Sequence, residues 1–190
     1  LYYVFMFEAL LTILMVIGFL YVNVLWVKVV IVIGYFLIIM SGIYSMLWGA
    51  PFVLTHKSRL DAIVKLGDFK KDDYVVELGA GDGRVVRVIA ATGVKKVIGY
   101  EFSVLNYLFA RLVHYFKKGK GKIVFGDFWK QDYSHVDVVV CFLLDRTVLD
   151  VEDLIWSKMK KGSKLISNAF KMKKVEPSKV KDGVYLYVKE

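Results

Sequence analysis

Residues 75–86 read VVELGAGDGRVV: a β-branched run, three glycines within five positions, then a second apolar run. Valine and isoleucine are stiff at χ1 and suit extended chain. Glycine gives up more conformational entropy on folding than any other residue, so three together are kept where the backbone must turn sharply or a ligand must approach without meeting a Cβ. The pattern describes a strand that leaves through a tight turn straight into a helix. It fixes a βα unit and points to a crevice at the carboxyl end of that strand.

The rest of the second part of the chain repeats this alternation. Extended runs are expected over 73–79, 95–101, 122–127, 135–143, 163–170 and 184–190, several of them solid blocks of Val, Ile and Leu, as suits a parallel sheet covered on both faces. Helices are expected over 58–67, 84–93, 103–119 and 147–162. Ser58, Ser103 and Thr147 are placed to cap three of them, and Gly67, Gly93, Gly119 and Gly162 stand where each would stop. Strand–helix alternation of this kind gives fold class α/β, doubly wound, with one domain over residues 51–190.

Residues 1–50 are different in kind, because they hold only two charged residues, Glu8 and Lys28. The mean hydropathy of the chain is +0.50, above that of ordinary globular domains. The stretch is expected to be a transmembrane anchor, a two-helix hairpin closing near Asn23–Lys28, with Tyr2, Tyr3, Tyr21, Trp26, Tyr44 and Trp48 near its rims. A first span beginning at Leu1 would bury Glu8, and one beginning near Ala9 avoids this. Basic residues in HKSRLDAIVK follow directly, so an integral membrane protein with its catalytic domain facing the cytosol is expected. The single cysteine, Cys141, excludes an internal disulfide and reads as core. All of the net charge of +9 lies in residues 51–190, since the first fifty contribute one base and one acid.

Two cofactor classes use a glycine-rich strand end. A dinucleotide fingerprint reads GxGxxG and offers its helix N-terminus to a pyrophosphate. Here the spacing is GxGxG, Glu77 precedes the first glycine and Asp82 sits within the turn, so two carboxylates suit a ligand with an ammonium group and no phosphate. In these features the chain resembles the class I methyltransferases, which implies a Rossmann-like sheet and S-adenosylmethionine as cofactor. By that resemblance Glu77, Gly79, Gly81, Asp82 and Gly83 seat the amino acid end of the cofactor. Glu101 binds the ribose hydroxyls, and Asp127 and Phe128, in FGDFW, meet the adenine.

PFVLT at 51–55, with ELGAGDGRVV, GYEFS and GDFW, is similar to a narrower family. These are the small membrane-anchored protein lysine methyltransferases, among them the mitochondrial enzymes acting on the adenine nucleotide translocase and on the c-ring protein of the ATP synthase, with archaeal relatives. The resemblance implies a protein substrate presenting lysine. Phe52, Thr55 and Phe142 are the expected walls of the target slot, with Thr55 as a hydrogen-bond acceptor. Lysine must shed its proton before it attacks, and a desolvated aromatic slot favours the neutral amine. Leu54 and the FLLDRTV segment depart from the family, which more often carries prolines there. No Pro-Pro-aromatic motif follows the fourth strand, against enzymes of adenine or glutamine amide nitrogens. The alternatives are methylation of a membrane lipid or quinone, and a nucleic-acid methyltransferase or binding module. The scattered lysine pairs argue against nucleic acid and fit a bilayer surface as partner. His56, His114 and His135 stand in no motif and read as surface residues, and no metal is expected.

Overall fold

The computed structural model describes the backbone of residues 2–48 and 52–190, and the side chains of residues 6, 9–40, 43, 44 and 52–190. Two helices come first, α1 (Tyr2–Tyr21) and α2 (Leu25–Trp48), followed by α3 (Lys57–Gly67). Strands and helices then alternate as β1 (Tyr74–Leu78), α4 (Arg84–Ala91), β2 (Lys96–Glu101), α5 (Val104–Phe116), β3 (Lys122–Phe125), β4 (Val138–Cys141), α6 (Asp145–Leu154) and β5 (Lys164–Asn168). A hairpin of β6 (Lys179–Lys181) and β7 (Val184–Val188) ends the fold.

The seven strands form one sheet in the order β3-β2-β1-β4-β5-β7-β6. β1 to β5 are parallel, while β7 runs antiparallel to both β5 and β6. The order in which strands are added reverses between β1 and β4, so the carboxyl ends of β1, β2 and β4 open a crevice at the topological switch point. Apolar residues cover both faces. Val76, Leu78, Val139 and Leu165 pack with α6 residues on one side, and Val75, Val138, Val140 and Ile166 pack with α3 and α4 residues on the other. This two-sided burial is why the central strands are unbroken blocks of Val, Leu and Ile.

Some local expectations need correction. α3 is capped by His56, whose ring accepts from Ser58 N–H, and Ser58 itself lies inside the helix. α6 begins at Asp145 with Leu144 at the cap and no side-chain cap bond, so Thr147 sits in its first turns, buried. Ser103 caps α5 as expected, accepting from Asn106 N–H. β6 carries alternating lysines around one valine and reads in the sequence as a loop.

α1 and α2 fold back on each other: Thr12 Oγ1 and the Tyr35 hydroxyl lie 2.9 Å apart, and Lys28 Nζ sits 4.8 Å over the Phe19 ring. Near the end of α2, the Tyr44 ring packs 4.6 Å from Phe102, which follows β2. Among the described residues no helix is long and apolar enough to cross a membrane. The expected transmembrane anchor, the integral-membrane location facing the cytosol and the bilayer as partner are corrected on that ground. Glu8, Tyr2, Tyr3 and Trp48 belong to the expected anchor but lie outside the described side chains, as do Leu1 and Pro51.

Candidate active site

The strand ends determine where the acids stand. β1 delivers Glu77 next to its tip, and the chain then enters the turn with φ of 76° at Gly79, 57° at Gly81 and 74° at Gly83. All three values are left-handed, which accounts for the three glycines. A Cβ on Gly81 would also stand 3.3 Å from the Phe52 ring, so the 52–55 segment closes directly over the turn. Gly79 and Ala80 donate their N–H groups to the Tyr100 carbonyl at 3.0 and 2.8 Å, which fastens the turn to β2.

β2 ends on Glu101, whose carboxylate accepts from Gly81 N–H at 2.8 Å and from Ser103 N–H at 2.9 Å. Burial pushes its carboxyl above the usual range while these backbone donors pull it down. Glu77 is buried as well, and its Oε2 has no hydrogen-bond partner among the described residues. Burial, and then the nearby charge of Asp82, hold the Glu77 carboxyl well above the ordinary carboxylate range. Beyond β3, Asp127 accepts from Trp129 N–H at 3.0 Å and so caps the short 3₁₀ turn Phe128–Lys130. The buried Phe128 is held there because its carbonyl accepts from the Tyr133 hydroxyl at 2.6 Å.

These pieces surround one cleft, about 790 Å³ with its open mouth included. Of the residues singled out in the sequence, Glu77, Gly79, Gly81, Asp82, Glu101, Asp127 and Phe128 line it. Phe52, Thr55 and Phe142 line it too. Gly83 does not. It takes the N-cap position of α4, where a Cβ would meet Ile123 Cδ1 at 2.3 Å.

Asp82 is already engaged. Arg84 Nε reaches both of its carboxylate oxygens, at 3.0 and 3.1 Å, and Arg87 Nη2 stands 3.5 Å from Oδ2. Its carboxylate therefore shapes the turn, whereas Glu77 still offers an acceptor. Cys141 is fully buried in β4, its thiol pushed up to about 12 by burial, which agrees with a core residue. His114, expected at the surface, is partly buried with Nδ1 lacking a partner among the described residues.

Sequence reasoning missed Arg84, Trp129, Tyr44 and Phe102, which also line the cleft. Arg84 carried a signal: a cation in the first position of a helix opposes the helix dipole, so something other than α4 must hold it there. The aromatic residues carried none, being indistinguishable in sequence from core.

A ligand with an ammonium group suits the partnerless carboxylate oxygen of Glu77, a residue that lines the cleft. A parallel sheet with a glycine turn after its first strand, an acid at the end of the second and an antiparallel closing strand defines an S-adenosylmethionine-dependent methyltransferase. Residues 77–179 match the ANTKMT methyltransferase domain, and the chain belongs to that family. It is 30% identical over 149 residues to a protein-lysine N-methyltransferase of Saccharolobus islandicus, an alignment covering 73% of this chain and 92% of that protein. It is 27% identical over 126 residues to the human lysine N-methyltransferase of the ATP synthase c-ring protein, covering 63% of this chain and 52% of the relative. The chain thus spans nearly all of the archaeal relative and about half of the human one. Among solved structures, an RNA methyltransferase from Salinibacter ruber in complex with S-adenosyl-L-homocysteine superposes with a TM-score of 0.66 at 26% identity, covering 72% of this chain and 93% of that one.

Proposed function

We propose that this chain methylates the side-chain amine of a lysine in a protein substrate. The reading is supported above all by the archaeal relative, a protein-lysine N-methyltransferase that the chain spans almost end to end. The aromatic lining of the cleft agrees with it.

In this reading Glu77 and the glycine turn hold the amino acid end of the cofactor, Glu101 takes the ribose hydroxyls through the acceptor capacity its two backbone bonds leave over, and Asp127 with Phe128 receives the adenine. When bound, the cofactor supplies an electrophilic methyl on a sulfonium. Phe52, Phe142 and Trp129 exclude water from the adjacent slot, and a desolvated amine loses its proton more readily. Thr55 accepts a hydrogen bond from the incoming amine and so directs its lone pair. Little acid or base chemistry is asked of the protein, because positive charge only moves from sulfur to nitrogen; alignment is the main contribution.

RNA is the second reading, favoured by the named activity of the Salinibacter neighbour and by the net charge of +9. One experiment separates the two. Purified protein is incubated with radiolabelled S-adenosylmethionine and a cell extract, and the products are treated with protease or with ribonuclease. Label that is released by protease and recovered as methylated lysine after acid hydrolysis supports the proposal. Label released by ribonuclease overturns it.

A further inference from the structure

The segment 52–55 has no backbone–backbone hydrogen bond among the described residues. It lies between α2 and α3 in no regular element, yet Phe52, Val53, Leu54 and Thr55 all line the cleft. One polar tie fixes it from the glycine turn: Arg84 Nη1 donates to the Thr55 carbonyl at 2.9 Å. The same guanidinium grips Asp82 through Nε at 3.0 and 3.1 Å and through Nη2 at 3.1 Å.

The turn does not depend on this grip alone. Arg87 donates from Nη1 to the Asp82 carbonyl at 2.6 Å and stands 3.5 Å from its carboxylate, and Gly83 N–H donates to the Ala80 carbonyl at 2.7 Å. The arm of Arg84 that turns away from Asp82 has one structural consequence, the position of the strap. A planar guanidinium can fork onto a carboxylate and reach a carbonyl on its other side, which a lysine ammonium on a single stem cannot reproduce.

We propose that Arg84 is a positioning residue that latches the 52–55 strap across the glycine turn, holding the Phe52 ring against Gly81 and Thr55 at the target slot. The inference rests on the reading of this cleft as the methyl-transfer site. Arg84 acts through Phe52: without the latch, the ring no longer roofs the turn.

The test is a double-mutant cycle on the full chain, with S-adenosylhomocysteine as probe and calorimetry as readout, so it needs no methyl acceptor. Arg84→Lys and Phe52→Ala are each expected to weaken binding about tenfold, and the double variant is expected to bind no more than about twofold more weakly than either. Chymotrypsin should cut after Phe52 or Leu54 at least tenfold faster in Arg84→Lys than in the parent, at an unchanged Tm. Should Arg84→Lys fail to fold, Arg84→Gln, which keeps an amide NH2 donor but no fork, enters the same cycle. Effects that multiply independently, or a strap equally resistant to cleavage in both proteins, overturn the proposal. Absence of any S-adenosylhomocysteine binding by the parent would instead sink the reading of the cleft, while the cleavage rates still report on the latch.

Discussion

Glu77 at the tip of β1 and Glu152 in α6 are almost equally buried, at 6% and 4% exposure, but their hydrogen bonding differs. Both oxygens of Glu152 accept backbone N–H groups, from Lys174 at 2.8 Å and Lys173 at 3.0 Å, and so pin the segment that leads to the β6–β7 hairpin. Glu77 keeps an oxygen without a partner among the described residues and is held toward its protonated form. Glu101 lies between the two, bonded to two backbone donors yet facing the cleft. Burial alone therefore does not separate the two acids. What separates them is acceptor capacity that the fold leaves unfilled, which is costly for a buried group.

The largest effect is expected at Glu101, which holds the turn through Gly81 N–H and is proposed to bind the ligand. Glu101→Ala should weaken S-adenosylhomocysteine binding by at least about a hundredfold, about 2.7 kcal/mol, in calorimetry; a loss under threefold breaks the assignment. Next comes Glu152→Ala, which strands two N–H donors and should lower stability by about 2 kcal/mol in urea unfolding while leaving ligand affinity within twofold. If affinity falls with it, the two glutamates are not separable and the contrast fails.

Glu77→Gln should behave in the opposite sense. Affinity is expected to drop about tenfold, about 1.4 kcal/mol, with Tm unchanged or raised, because a neutral amide relieves the buried charge. A fall in Tm comparable to that of Glu152→Ala would make Glu77 structural. The smallest effect is a pH slope. The Glu77 carboxyl is raised in the folded state, so its contribution to stability is fully present below the unfolded value and is lost as pH rises through the folded value. Unliganded protein should therefore lose stability as pH climbs above the ordinary carboxylate range. Glu77→Gln, followed by urea melts across the same pH series, should lack that component.

The central sheet was legible because β-branched blocks and glycine punctuation state it twice over, in period and in composition. Eight of the ten cleft-lining residues picked out in the sequence come from short segments next to strand ends or in the glycine turn, where topology decides position, whereas Phe52 and Thr55 reach the cleft through long-range contacts. The stretch 1–50 was read from its hydropathy, its two charges and its rim aromatics, and none of these reveals that Tyr44 packs on Phe102. β6 was illegible because Lys179 and Lys181 give no strand signal, and the pairing comes from the β7 partner. Arg84 was passed over because a charged residue in sequence reads as a solvated face, whereas its hydrogen bonds point inward.

The insertion of β7 between β5 and β6 has an implication for biosynthesis. Five parallel strands can assemble in the order in which they emerge from the ribosome, but the β5 flank stays a bare row of amide and carbonyl groups until residues 184–188 arrive to seal it. A nascent chain stalled short of that point would carry a complete glycine turn beside a sticky border, and chaperones guarding this protein would have most to do in that interval.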